Sequence, residues 1–356
     1  MNALQIHAGP RALKHLREHG LAPGDVRAIP GAAGGPKGLA LNHLDRFLFG
    51  EWLPRSTQTI HLLGASIGAW RMATACLPDP VRAFRRLADD YIRQHYDHAP
   101  GKAPTPALVS RVFGAKLDEH FSAHEQSLLH HPRYRLHVFA SRGRHLLGRE
   151  ARLRTPLGYL GAFATNALSR RALGAWLERT VFSAPGEPLP LPLNDYRSRH
   201  LPLTAANLQP SLLASCSIPM WLSAVNDIPG APRGAYWDGG ITDYHLHLNY
   251  AAMTDGLVLY PHFQRQIVPG WLDKPLKRRH RATPMLDNVV VLSPDPAWVA
   301  TLPGGKLPDR TDFKRFGDDT PGCIAHWSRA VAESQRLRDD FAAWVAGSLP
   351  ITVQAL

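Results

Sequence analysis

Cysteine is scarce in this chain: Cys76, Cys216 and Cys323 are the only three in 356 residues, and none stands in a CxxC or other metal-ligand spacing. That excludes a disulfide framework and supports no metal site, and a reducing, cytoplasmic setting fits best. Long apolar runs are missing too. The uncharged, fairly apolar window "TPLGYLGAFATNALS" from Thr155 to Ser169 falls short of the ~20 residues that cross a bilayer, so no membrane crossing is expected. The first twenty residues lack a basic segment followed by an apolar run and a small-residue cleavage site, and export is not expected. No low-complexity tract points to disorder, and no repeat or linker divides the chain, so one domain over residues 1–356 is expected.

Positive charge, in contrast, is plentiful. The formal net charge is +12, which favours an anionic partner: lipid headgroups, nucleic acid or an acidic substrate. No nucleic-acid-binding module accompanies the charge, so nucleic acid is not expected. The clusters "RYRLHVFASRGRHLLGREARLR" and "KPLKRRHR" suit peripheral contact with an anionic membrane surface, and equally plain solubility.

The first eighty residues alternate between strand and helix patterns, as in a largely parallel sheet covered by helices. "LQIHA", "VRAIPG" and "TIHLLGAS" read as strands, and "GPKGLALNHLDRFLFGEWL" reads as a helix with Pro36 near its first position. The middle, about 82–200, reads as helical and basic. There "LGAFATNALSRRALGAWLERTVF" carries apolar residues at three-to-four spacing, which favours core packing over a membrane-binding face. Strand character returns in "GAYWDGGITDYH", "DGLVLYPHF" and "NVVVLSP", and "HWSRAVAESQRLRDDFAAWVAG" reads as a closing helix.

Three segments carry chemistry. The first is GxSxG, formed by Gly64, Ser66 and Gly68 on a strand-to-helix turn, where a serine hydroxyl can project from the top of a sheet. The second is "GAAGGPKG", Gly31 to Gly38, whose adjacent glycine amides at a helix start can point at one negative oxygen. A nucleotide-phosphate loop fits it poorly, because Lys37 follows Pro36 and precedes Gly38 rather than Ser or Thr. The third is "YWDGG", Tyr236 to Gly240. On its own it is a turn, but at a strand end it can return the Asp238 carboxylate to the edge that carries Ser66.

In this order the three segments resemble the patatin-like phospholipases, a family marked by a G-G-G-x-[KR]-G loop, a GxSxG elbow and a late D-G-[GA] triplet. The corresponding residues are Ala33-Gly34-Gly35-Pro36-Lys37-Gly38, Gly64-Ala65-Ser66-Ile67-Gly68 and Asp238-Gly239-Gly240, and "LLASCSIPMWLSAV" from Leu212 to Val225 is similar to the A-S-x-A-x-P stretch that precedes the triplet. The resemblance covers about residues 25–76 and 205–250. Ala33 departs from it by placing a β-carbon where the family has a glycine.

The resemblance implies a three-layer α/β/α fold with a central, largely parallel sheet and a helical middle insertion. It also implies a serine acyl-ester hydrolase that uses a Ser66–Asp238 dyad. Asp238 accepts the Ser66 proton, amides around Gly34 and Gly35 stabilise the oxyanion, and water hydrolyses the acyl-enzyme. Lys37 either fixes the loop or meets an anionic headgroup, or is a plain solvated lysine. The implied substrates are phospholipids, galactolipids, neutral glycerides or other lipid-like esters, with no cofactor and no calcium. His245 and His247 offer a triad instead, but the motif order matches the dyad. A catalytically silent lipid- or granule-binding protein with the same fold is the alternative, and the intact Ser66 and Asp238 speak against it.

Overall fold

The computed structural model describes residues 2–97 and 103–356. One sheet gathers strands from both ends of the chain. They are β1 (Leu4–Ala8), β2 (Val26–Gly31), β3 (Ile60–Ala65), β4 (Tyr134–Gly143), β5 (Leu177–Ser183), β6 (Ser198–Pro202), β7 (Val225–Asn226), β8 (Ala235–Asp238), β9 (Leu257–Pro261), β10 (Val289–Pro294) and β11 (Gln354–Ala355). Their order is β11-β1-β10-β9-β2-β3-β4-β5-β6, with β7 and β8 beside this path and β8 paired to β4. The five adjacent strands β10, β9, β2, β3 and β4 are mutually parallel. Every residue of β3, β9 and β10 is buried, so both faces of the sheet are covered, as in a three-layer α/β/α arrangement. Their continuous apolar runs follow from that double covering.

The strands read from the first eighty residues and from the last third are present. The middle differs from its sequence reading. Segment 82–200 holds the helices Pro80–Ile92, Pro106–Phe121 and Arg154–Leu168, but it also supplies β4, β5 and part of β6 to the central sheet, so it is not a helical insertion. Residues 98–102 of it lie outside the described residues.

"LGAFATNALSRRALGAWLERTVF" is helical only to Leu168. After a 3₁₀ turn over Arg170–Ala175 the chain becomes β5, and Thr180, Val181 and Phe182 suit a strand buried on both faces. The charges of "LER" imitate a solvated helix face but are internal. Glu178 meets Arg142, Arg197 and Arg199, and the fully buried Arg179 bridges Asp243 at 2.6 and 2.8 Å and Asp195 at 2.6 Å.

The closing helix is two helices, Thr320–Glu333 and Gln335–Val345, parted at Ser334, whose hydroxyl donates to Val331 O at 2.6 Å. The helix expected after the glycine loop begins as a 3₁₀ turn, Gly35–Leu41, before the short α-helix Asn42–Phe47. Among the described residues no helix is long and apolar enough to cross a membrane.

Arg179 matters beyond the sheet, because Asp243 ends the short helix Gly240–Asp243 that follows the Asp-Gly-Gly triplet. Arg179→Ala leaves the buried Asp243 carboxylate with only Arg170, 3.9 Å away, as a cation and is expected to lower unfolding stability by about 3–5 kcal/mol in urea titration. A loss within 0.5 kcal/mol of zero, the ordinary effect of a surface change, would contradict this anchoring role.

Candidate active site

Two strands use the same edge of β4. Along its first part β4 pairs with β3, ending at Ala65 opposite Phe139; from Ala140 onward the same edge takes β8, which enters antiparallel with Asp238 opposite Ala140. The carboxyl ends of β3 and β8 therefore meet head-on. Ser66 is the next residue after β3 and Asp238 is the last of β8, and their side chains join: Ser66 Oγ donates to Asp238 Oδ2 at 2.6 Å.

The elbow at Ser66 is strained, with φ 57° and ψ −130°, a conformation costing about 1–3 kcal/mol that the surroundings must hold. Its N–H donates to Ser215 Oγ at 2.9 Å, and its carbonyl accepts from Ala69 N at 2.9 Å. Ser66 makes no capping bond of its own to the helix Ile67–Ala75, which leaves its hydroxyl free to face Asp238. The flanking glycines are steric necessities. A Cβ on Gly68 would run into the Gly31 carbonyl at the end of β2, and one on Gly64 would run into the Ala69 backbone.

Asp238 is held on every polar atom. Its N–H donates to Ser217 O at 2.9 Å, its carbonyl accepts from Ser141 Oγ at 2.9 Å, and its Oδ1 accepts from Gly240 N at 2.7 Å. The end of the helix Ala205–Cys216 thus clamps both partners. Ser215 Oγ accepts from Ser66 N while donating to Phe139 O at 2.6 Å, and the Ser215 and Ser217 carbonyls accept from Gly239 and Asp238. The sequence flagged "ASCSIP" as a neighbour of the triplet, but gave Ser215 no role.

Burial pushes the Asp238 carboxyl up to about 6, against the pull of the Ser66 hydroxyl, Arg310 and the Gly240 amide. At neutral pH it is ionised yet far more basic than a solvated aspartate. His245 and His247 stand elsewhere. His245 Nδ1 accepts from Val268 N at 2.9 Å, and His247 Nε2 lies 2.8 Å from Thr283 Oγ1. Burial lowers both imidazoles, His247 to about 4, and neither is hydrogen-bonded to Ser66 or Asp238.

The glycine loop lies against the pair. Gly34 lines a cavity of about 200 Å³ together with Ser66, Asp238, Lys37 and Gly240, and Gly35 lines a second of about 660 Å³ that also reaches Ser66. Among the described residues Gly34 N–H has no backbone acceptor, which leaves it free for a negative oxygen. The positive φ of the loop, 57°, falls on Gly35 and not on Ala33.

Ala33 N–H donates to Tyr244 O at 2.8 Å and is unavailable, so the alanine's departure costs the loop no donor. Its methyl group has room because residue 240 is glycine: a Cβ there would lie 2.5 Å from that of Ala33. Gly38 faces Ile67 and Arg71 rather than the reacting atoms. Lys37 is not a solvated surface lysine. It is half-buried, with its ammonium 5.4 Å from the centre of the Phe263 ring.

The larger cavity is mostly apolar, lined by Ile67, Val109, Phe113, Ile218, Leu222 and Phe313. It can hold an acyl chain with its carbonyl at Ser66. Phe113 and Phe313 come from segments without motif, and nothing in the sequence marked them. Among the described residues no group of three or more His, Cys, Asp or Glu side chains is placed to hold a metal ion. No protein-family model matches the chain, and no match is found among curated proteins.

The raised Asp238 pKa has a stability consequence. The folded state binds this proton more tightly than the unfolded chain, so the stabilisation is full below about 4 and is lost as pH rises through about 6. Above that, the buried charge opposes folding by about 3 kcal/mol. Asp238→Asn is therefore expected to melt no lower than wild type at pH 7.5, and to lose its relative advantage by pH 4. A lower melting temperature at pH 7.5 would show that the carboxylate is needed for the fold.

Proposed function

We propose that the protein is a serine acyl-ester hydrolase of the patatin-like type, with Ser66 as nucleophile and Asp238 as its direct general base. The observation that carries this reading is the 2.6 Å Ser66–Asp238 hydrogen bond at the junction of an apolar cavity and a glycine loop. As the Ser66 oxygen attacks the ester carbonyl, its proton passes to Asp238 Oδ2. The carbonyl oxygen becomes an oxyanion facing the glycine-loop amide. Collapse expels the alcohol, which takes the proton from Asp238, and leaves the acyl group on Ser66. Water then repeats the cycle, giving up its proton to Asp238 and releasing the acid.

Hydrolysis of short p-nitrophenyl acyl esters tests the dyad. Ser66→Ala and Asp238→Asn should each lower kcat/KM by about 10²–10⁴, the usual contribution of a lost nucleophile–base partnership, while His247→Gln stays within a few-fold of wild type. The base must be ionised, so the wild-type rate should fall as pH drops through about 6. Collapse in the histidine variant with its fold intact, or a near-normal rate in Asp238→Asn, would overturn the dyad.

One surface favours work at a lipid interface. The helix Arg154–Leu168 contains no acidic residue and turns Tyr159, Ala162 and Asn166 inward. Leu153, Leu157, Leu160 and Leu168 face solvent, with Leu160 64% and Leu168 88% exposed. Of the apolar residues expected to be core, Ala162, Leu173 and Leu177 are buried, whereas Leu160 and Leu168 face outward, near the exposed Arg149, Arg152, Arg154 and Arg171. Exposed leucines with adjoining arginines suit an anionic membrane surface entered to the depth of the headgroups. The double variant Leu157→Glu, Leu160→Glu should weaken binding to phosphatidylglycerol vesicles at least about tenfold, since each buried leucine is worth about 1.5–3 kcal/mol. Unchanged binding would remove this helix from the interface.

A further inference from the structure

Cationic side chains outnumber carboxylates in the smaller cavity. Lys37, Lys274 and Arg310 all line it, and its acidic members are Asp238 and Asp309. Asp238 is engaged by Ser66 and Gly240. Asp309 is satisfied from the other side, by Lys306 Nζ at 2.8 Å and by Thr311 N at 2.8 Å and Thr311 Oγ1 at 2.5 Å.

The three cations have no such partners. Among the described residues none of their side chains forms an ion pair or a hydrogen bond. Lys37 lies over Phe263, and Lys274 stands at the rim with its ammonium 4.5 Å from the centre of the Tyr244 ring. Arg310 is half-buried beside the glycine loop, its Nε 3.3 Å from where a Cβ of Gly35 would be. It lines both cavities, as Ser66 does. Lys37 and Arg310 are half-buried and Lys274 is exposed, and three cations against two carboxylates leave an excess of positive charge that a bound anion would balance.

We propose that this cavity is a subsite for an anionic group on the alcohol side of the ester, so that the preferred substrate couples an acyl chain to a small alcohol bearing a phosphate or carboxylate. The assignment rests on the hydrolase reading for its orientation. The apolar cavity takes the acyl chain, Ser66 takes the carbonyl, and the remaining direction leads to Lys37, Lys274 and Arg310. A cavity of about 200 Å³ has room for a compact charged group. Lys274 and Arg310 come from the C-terminal third of the chain, outside the glycine loop, elbow and triplet, and join Lys37 of the loop. The guanidinium presents a fork of donors that matches two oxygens of a phosphate or carboxylate, and the two ammonium groups add point charges.

The test separates binding from turnover. Titration calorimetry on Ser66→Ala compares three octanoyl esters: of glycerol 3-phosphate, of glycolate, and of glycerol as the neutral reference. Charge-assisted contacts of this kind predict binding of one or both anionic esters about 10- to 100-fold tighter than the neutral one. Preference for the phosphate ester alone assigns the site to phosphate, and preference for glycolate alone assigns it to carboxylate. In Ser66→Ala carrying Lys274→Met or Arg310→Met, with folding checked by circular dichroism, the preference should shrink at least about fivefold.

Equal affinity for all three esters in Ser66→Ala would overturn the subsite, and that comparison needs no further variant to fold. Undiminished preference in both double variants would overturn its assignment to these residues. Failure of the hydrolase reading shows separately, as neutral-ester turnover that survives Ser66→Ala.

Discussion

The site depends on a constraint of sheet pairing: one edge of β4 is shared by two strands arriving from opposite directions. β3 uses the edge up to Phe139 and β8 uses it from Ala140, so the register of both strands is fixed against one backbone. A slip of one residue in either would turn its side chains to the other face and separate Ser66 from Asp238. The clamp at Ser215 and Ser217 ties the two strand ends to a third element, through the Ser215 hydroxyl at Ser66 N and the Ser215 and Ser217 carbonyls at Gly239 and Asp238. The Arg179–Asp243 pair does the same from beneath, fixing the short helix after the triplet.

Much of this was legible in the sequence. The elbow could be read because a strained serine between strand and helix demands small neighbours at fixed offsets, and Gly64 and Gly68 have no alternative where they pack. The triplet could be read because its glycines must let the backbone pass Phe139 and Ala33. β5 could not. Its charged residues are paired by side chains distant in sequence, Asp243 being 64 positions from Arg179, and local spacing cannot tell an internal ion network from a solvated face. Leu160 and Leu168 were misassigned for the converse reason: periodicity shows that a helix has an apolar stripe, but not which part of it is covered. Tyr159 and Ala162 take the core side, and the leucines are left outside. Arg310 and Lys274 carried no signal, since a lysine or arginine in a loop is ordinarily solvated.

On the proposed reading, a single carboxylate serves without a histidine. In a triad, an imidazole with a pKa near neutrality stands between serine and aspartate. Here desolvation raises the carboxylate itself to about 6, so it takes over that range of basicity. The consequence is a buried charge at neutral pH, which Arg310, the Gly240 amide and the Ser66 hydroxyl partly offset. Arg310 thereby links Asp238 to the smaller cavity, since the guanidinium that tempers its carboxyl also lines that space.

On the proposed reading, Ser66 is a nucleophile activated by Asp238 alone. Incubation with a fluorophosphonate, followed by mass mapping of the adduct and its rate of formation, tests this most directly. The predicted result is a single adduct on Ser66, absent in Ser66→Ala and formed far more slowly in Asp238→Asn. An adduct on another residue, or labelling of Ser66 at an undiminished rate without the Asp238 carboxylate, would contradict it.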